Sequence, residues 1–379
     1  MNGPVLVTGA RAPVALDIAR ALRAAGREVH LADCVTPFAA RGLSPHTPIH
    51  RFAAPSRDFA RFRRDMTGLV GGLGVRFVVP TCEEVFWLAA AAEADGWADR
   101  LFAPDLSLLR RLHSKYEFAA LAAEIGLDAP ETQVFAGPVE LATPELFVLK
   151  PEFSRFATHT LVGPDAAAVR ALKPTPQRRW VAQRRIEGEE FCCWAAVHGG
   201  RVVAYSAYRP RWRLGRAAAF QMEAVNMPAV EHVARRVAEA TGLTGQIAFD
   251  VMVDGQERAW PLECNPRAVS GVHLFDACAA LGRAILDGEP APSPPQGRLR
   301  HLAPAMALLG VPSALAAGRL SALLEDWQAS ADVIGRGSPM ALAGCLVDAA
   351  RFAAVAFVKG ITPAGATTDD IEWDGEPIA

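Results

Sequence analysis

The apolar positions of this chain follow two periods in turn. Residues 4–8 form a short apolar run, residues 12–25 repeat their apolar positions at helical spacing, and residues 28–32 form a second run. A helical pattern at 59–70 and a third run at 76–79 continue the series. Strand-length runs alternating with helical stretches predict a parallel, doubly wound sheet. Pro80, Thr81, Cys82, Glu83 and Glu84 follow the third strand and open an alanine-rich helix that extends to Ala92. The Glu pair therefore sits at the carboxyl end of a strand, where open sheets bind ligands, and equally at a helix N-terminus whose dipole it complements.

Ser114 followed by Glu117 has the form of a capping box, predicting a helix that starts at Lys115, runs to Ile125 and stops at Gly126, with Pro130 beyond. Strands are predicted at 146–150, ending on Pro151, and at 180–186. Residues 190–198 and 201–207 flank Gly199 and Gly200, whose access to positive φ suits a hairpin turn. A helix at 230–241 follows, then a second hairpin, 246–253 and 258–264, around Asp254 and Gly255. The proline-rich stretch 290–295 is expected as a linker, and the remainder as an alanine-rich helical segment.

At 379 residues and 51% hydrophobic, the chain exceeds the roughly 250 to 300 residues at which single cores stop growing, so several domains are expected. Acidic and basic residues number 41 and 39, a net charge of -2. That leaves no field to favour nucleic acid or an anionic membrane, and the partner is expected to be a small molecule. The longest apolar run, 340–358, is broken by Asp348 and Arg351 and is expected to pack as a helix rather than span a membrane. Seven cysteines without close repeated pairs read as reduced thiols, and no basic-then-apolar leader precedes the first strand, so a cytoplasmic protein is expected. Only Lys115, Lys150, Lys173 and Lys359 are lysines among the 39 basic residues. A compact ammonium and a planar guanidinium are not interchangeable at a phosphate, so each Lys is singled out.

The second hairpin carries the strongest chemical signal. An even-length turn would put Asp250 and Glu263 on one face of its two strands, and Asn265 shares that face by the period of two. Two carboxylates and a carboxamide, closed by Arg267, are costly as a core face because unpaired buried charge is unfavourable. They suit hard magnesium ions that bridge nucleotide phosphates, with Arg267 on a phosphoryl oxygen. The plainer reading is an exposed polar sheet face.

Taken together, Ser114-Lys115-Tyr116-Glu117-Phe118 with Gly126 and Pro130, Val148-Leu149-Lys150-Pro151, the segment 183–190, and Asp250 followed by Glu263-Cys264-Asn265-Pro266-Arg267 resemble the ATP-grasp enzymes. The likeness is to the branch of carbamoyl phosphate synthetase-like and carboxylate-amine ligases. It implies an α/β fold: an N-terminal doubly wound parallel-sheet domain (1–110), a two-lobed ATP-grasp fold with a small lobe (111–188) and a large lobe bearing the magnesium site (189–300), and a helical C-terminal segment (301–379). It also implies ATP with magnesium, or manganese, as cofactors, and small carboxylate and amine substrates. By the same resemblance Lys115 and Lys150 contact ATP phosphates, Gln183, Arg184 and Ile186 belong to the hinge around adenine, and Glu190 binds the ribose hydroxyls. Asp250, Glu263 and Asn265 hold the metal, and Arg267 stabilises the transferred phosphoryl group. Alternation along the strand leaves Glu190 and Glu189 interchangeable at this point.

The chain departs from the family after Lys150. The usual glycine-rich loop is replaced by Glu152-Phe153-Ser154-Arg155-Phe156-Ala157-Thr158, so Ser154 and Arg155 are expected to supply side-chain donors in place of backbone ones. Substrate contacts are expected from His273 and from one arginine of the run Tyr208-Arg209-Pro210-Arg211-Trp212-Arg213, although a solvated loop and a structural histidine explain them equally well. Oligomeric state is left open, with a homodimer among the options. Two rival readings stand beside the ligase. One is a non-catalytic nucleotide-binding protein on the same fold. The other is a nicotinamide-dependent oxidoreductase, suggested by Gly9 after the first strand and Asp33 after the second, but the fingerprint's later glycines would fall on Arg11 and Val14.

Overall fold

The computed structural model describes residues 3–42, 46–155, 159–213, 219–335 and 338–378, so Phe156, Ala157 and Thr158 of the expected lid lie outside the described residues. Strands β1 (Val5–Thr8), β2 (Val29–Asp33), β3 (Ile49–Arg51) and β4 (Phe77–Val79) form an all-parallel sheet in the order β3-β2-β1-β4. The helices between them are α1 (Pro13–Ala24), α2 (Phe38–Arg41) and α3 (Phe59–Gly72), and α4 (Val85–Asp95) follows β4. Pro13 opens α1 at a position where a missing N–H is harmless. Two short elements, β3 and α2, were not legible as periodic runs, because three or four residues are too few to display a period.

α5 (Leu106–His113) leads directly into α6 (Lys115–Glu124). Ser114 caps α6, its hydroxyl accepting from Glu117 N at 3.1 Å, while its own N–H donates to the Arg110 carbonyl of α5. Only half of a capping box is therefore built, because the unforeseen α5 already satisfies the second donor. A small antiparallel sheet follows, made of β5 (Thr132–Phe135), β6 (Phe147–Pro151), β7 (Leu161–Val162) and β8 (Trp180–Arg184) in the order β5-β8-β6-β7. α7 (Ala166–Ala171) lies between β7 and β8.

The large sheet contains β9 (Glu189–His198), β10 (Arg201–Trp212), β11 (Gln221–Val225), β12 (Gly245–Val253), β13 (Ala259–Asn265), β14 (Leu299–His301) and β15 (Ala331–Asp332). Its order is β13-β12-β9-β10-β11-β14-β15. α8 (Pro228–Thr241) packs on one face through Val230, Val233 and Val237, together with Phe118 and Leu121 of α6. The other face meets the N-terminal sheet domain through α1 and α9 (Ala279–Asp287). Gly282 permits that approach, since a Cβ there would lie 2.3 Å from the Ala21 carbonyl oxygen.

Several expectations are corrected. The run from Tyr208 is not a loop but the far end of β10, paired with β11. The proline-rich stretch is no free linker, because Ala291 N donates to Val203 O at 2.7 Å and the chain then joins the large sheet as β14. The C-terminal segment is helical as expected, with one short addition, β15, which extends that sheet in parallel with β14. Its helix Pro339–Lys359 has the length and apolarity to cross a membrane, yet here it lies against α2. Gly42 and Gly344 make that contact close: a Cβ on Gly344 would stand 2.2 Å from Phe38 O. Asp348 fixes the register by accepting from Phe38 N and Ala39 N at the start of α2, where an anion complements the exposed donors.

Candidate active site

Asp250 and Glu263 are direct cross-strand partners in the β12–β13 hairpin. The connection is not the even-length turn expected, because Val253 pairs with Ala259 and leaves five residues between them; a bulge at Leu262 restores the parity that brings the carboxylates together. The same bulge residue offers its carbonyl to the small sheet: Gln183 Nε2 donates to Leu262 O at 3.2 Å and Lys150 Nζ at 3.5 Å. Asn265 sits opposite Ala248 and accepts from Arg267 Nη2 at 3.1 Å.

Two lysines converge on this hairpin from different elements. Lys115, first residue of α6, is 2% exposed and places Nζ 3.6 Å from Glu263 Oε2. Lys150, near the end of β6, places Nζ 3.8 Å from the same oxygen and donates to Gln183 Oε1 at 3.1 Å. Burial pushes the Lys150 ammonium down, to about 8, although Glu263 opposes the shift. Burial also pushes the Asp250 carboxyl up, and the neighbouring Glu263 charge adds to it. Burial acts in the same direction on Glu263, but Lys115 and Lys150 outweigh it and hold that group ionised. The two lysines already offset the Glu263 charge, so it is the paired Asp250 whose ionisation a further cation would favour.

The donor set fits magnesium. Among the described residues no cluster of three His, Cys, Asp or Glu side chains makes a cage by itself, so two carboxylates and the Asn265 amide leave coordination positions to be filled from outside. Magnesium accepts that arrangement, since it binds through one or two carboxylates and completes its octahedron with phosphate oxygens and water.

Arg267 is fixed by Glu83, whose Oε1 accepts from Nε at 2.6 Å. Although burial pushes the Glu83 carboxyl up, Arg267 and then Arg155 pull it to about 2. Glu83 is thus a positioning carboxylate, whereas Glu84 turns inward to accept from Thr8 Oγ1 at 2.7 Å and Thr81 N at 3.1 Å. Sequence reasoning placed the pair correctly and could not separate their roles, because both follow the same strand. Ser154 stays beside Lys115, its carbonyl accepting from Nζ at 3.0 Å. Arg155 is turned to the C-terminal tail, where it meets Glu372, Trp373 O at 3.0 Å and Asp374 at 2.6 Å. These tail residues were missed by the sequence reading, and no local signal marks them.

Gln183 is buried in β8, Arg184 and Arg185 are exposed, and Ile186 is half-buried in the segment joining the two sheets. Glu190 engages Arg213 through two bonds of 2.6 and 2.8 Å, while Glu189 pairs with Arg209 on the other face. Arg213 and Glu190 line the same cavity as Asp250 and Arg267; Arg209 and Arg211 do not. His273 lines it too, with Nδ1 2.8 Å from Asp17 Oδ2.

No protein-family model matches the chain. No curated protein matches it in sequence either. Solved structures do. An L-amino acid ligase from Bacillus licheniformis superposes with a TM-score of 0.58 at 16% identity, covering 77% of this chain and 78% of that one. The chain has the ATP-grasp fold. A phosphoribosylamine–glycine ligase from Thermotoga maritima matches at TM-score 0.56 and 15% identity, covering 78% of each chain. An N5-carboxyaminoimidazole synthase from Aspergillus clavatus, solved with ADP and 5-aminoimidazole ribonucleotide, matches at 0.60 and 15%, covering 79% and 81%. In ATP-grasp terms the small sheet and the large sheet are the two lobes, and Lys115, Lys150, Gln183 and Glu263 meet where they join.

Proposed function

We propose that the protein is an ATP- and magnesium-dependent ligase that activates a small carboxylic acid as an acyl phosphate and joins it to an amine, releasing ADP and phosphate. The observation that carries this reading is the convergence of Lys115 and Lys150 on Glu263, itself paired with Asp250. Two cations beside a metal-type carboxylate pair suit a triphosphate and the charge that moves to its terminal group. Lys115 and Lys150 hold phosphate oxygens, Gln183, Arg184 and Ile186 border the adenine, and Glu190 takes the ribose. Asp250, Glu263 and Asn265 carry magnesium, which neutralises the phosphates and orients them when bound. Arg267, held by Glu83, faces the carboxylate as its oxygen attacks the γ-phosphorus. Arg155 and Ser154 close on the phosphates once Arg155 leaves the tail. The structural neighbours include C–N ligases and an ADP complex, which supports the class of reaction, and the seven free cysteines suit a cytoplasmic protein.

The oxidoreductase reading loses its ribose acid, because Asp33 accepts from the backbone N and the guanidinium of Arg11. A non-catalytic nucleotide binder has no use for the full acid set. ADP release on mixing the protein with ATP, magnesium and panels of acids and amines is the test. Binding of ATP without any acid-dependent ADP would overturn the ligase in favour of the non-catalytic protein.

A further inference from the structure

The cavity that contains Asp250, Glu263, Asn265 and Arg267 extends well past them. Its volume is about 470 Å³, within the range of small-molecule sites. One side of the wall comes from elements with no part in nucleotide chemistry: Pro13 of α1, Ala39 of α2, Ile334, and Cys345, Ala349 and Phe352 of the helix Pro339–Lys359. Spacings of four and three residues put those last side chains on one helix face. The charged groups beside them are committed elsewhere. Arg11 gives its guanidinium to Asp33, Asp370 and the Thr367 carbonyl. Asp348 accepts from Phe38 N and Ala39 N and pairs with Arg351 at 3.2 Å. Thr367 and Thr368, which also line this end, donate their hydroxyls to Ala364 O at 2.6 Å and Glu372 Oε2 at 3.2 Å, so a polar substituent lodged here would lose water for little return, whereas an apolar one gains by leaving water.

We propose that the acid substrate carries an apolar body, branched aliphatic or aromatic, that lodges against Ala39, Cys345, Ala349 and Phe352 while its carboxylate meets Arg267. The inference rests on the ligase reading and deepens it: the helix Pro339–Lys359 sets substrate choice. Ala349 leaves the room between Cys345 and Phe352 that a bulky body occupies. The close contacts at Gly42 and Gly344 hold the wall at a fixed distance, so the room is shaped and not merely greasy.

The test offers each acid singly with ATP, magnesium and hydroxylamine, which stands in for an unidentified amine, and measures ADP. L-leucine, L-phenylalanine, 4-methylpentanoate and 3-phenylpropionate are compared with L-glutamate, L-aspartate and L-lysine. Preference for the apolar set is expected, at about tenfold or more in kcat/KM. In Ala349→Phe the ratio of phenylalanine or 3-phenylpropionate to propionate should fall by a similar factor, and in Phe352→Ala it should rise. Preference for the charged acids, or unaltered ratios in both folded variants, overturns this inference and leaves the ligase standing. ADP release with none of the acids overturns the ligase and the inference together.

Discussion

Lys150 Nζ stands 3.8 Å from Glu263 Oε2 across the junction between the small and large sheets, and Lys115 Nζ stands 3.6 Å from the same oxygen. One carboxylate is therefore shared by two ammonium groups that arrive from separate elements, and a positive charge is left over for a phosphate. Lys150 rides on the small sheet, whereas Lys115 is carried by α6, which packs on the large sheet, so movement of the small sheet changes the Lys150 distance and links lobe closure to phosphate binding.

Glu263→Gln keeps the shape of the side chain and removes its charge. Asp250 then loses its like-charged neighbour and the metal loses an anionic ligand. Turnover should fall by at least roughly 100-fold, the order seen when one preorganised charge is lost, while the circular dichroism spectrum stays that of the native protein. Near-native turnover would remove Glu263 from the metal site.

Lys150→Ala should weaken ATP binding or phosphoryl transfer more than Arg155→Ala does. Lys150 is held on a strand by Gln183, whereas Arg155 is committed to Glu83, Glu372 and Asp374. Calorimetry and steady-state kinetics on both variants decide the order, and a larger effect at Arg155 would make it the principal phosphate ligand.

His113 lies between Phe86 and Phe153, with ring centroids 5.0 and 5.8 Å away, and neither ring nitrogen has a hydrogen-bond partner among the described residues. Burial pushes its imidazole down to about 3. The folded value lies below the unfolded one of about 6.5, so the neutral ring's contribution is whole above about pH 6.5 and is lost as pH falls toward 3. Between pH 7 and 5 that loss is roughly 2 kcal/mol. His113→Phe should abolish this part of the acid sensitivity in denaturant titrations while changing stability little at pH 7; an unchanged pH slope would show that another group carries it.

Trp373 is 2% exposed and stacks on Phe86 at 4.8 Å, with Phe153 edge-on at 5.1 Å. The tail thus ties the lid residues to the N-terminal domain beside the Arg155 ion pairs. Trp373→Ala should cost about 3–5 kcal/mol in chemical unfolding, as large-to-small changes in a core do. A loss below about 1 kcal/mol would show that the tail is bound only by its charges.

What the sequence reveals here depends on how local each cause is. Asp250, Glu263 and Asn265 share a face because of strand alternation, a rule of period two that a reader can apply without coordinates, and the bulge at Leu262 altered the turn but not the outcome. Lys115 and Lys150 were marked by scarcity in an arginine-rich chain. The partners of Arg155 and the apolar wall were not legible, because Glu372 and Asp374 lie more than 200 positions away in sequence and Cys345, Ala349 and Phe352 read as ordinary helix. Contacts between distant segments leave no periodic trace. The separation of Glu83 from Glu84 failed for the opposite reason: adjacent residues at a strand end differ in direction only once the neighbouring strand supplies Thr8.

The route of one oxygen atom tests the chemistry most directly. In the proposed reaction a carboxylate oxygen attacks the γ-phosphorus, the bond from that phosphorus to the bridging oxygen of ADP breaks, and an acyl phosphate forms. The amine then attacks the carbonyl carbon, a proton leaves the nitrogen, and phosphate departs with the oxygen that came from the acid. The convergence of Lys115 and Lys150 on Glu263, with Arg267 on Asn265, suits charge that develops on a transferred phosphoryl group. An acid labelled with oxygen-18 in its carboxylate should therefore pass one label to inorganic phosphate for each amide formed, with ADP in equal amount, by mass spectrometry. Label in AMP would mean attack at the α-phosphorus and an adenylate, and would overturn the proposed mechanism while leaving the fold untouched.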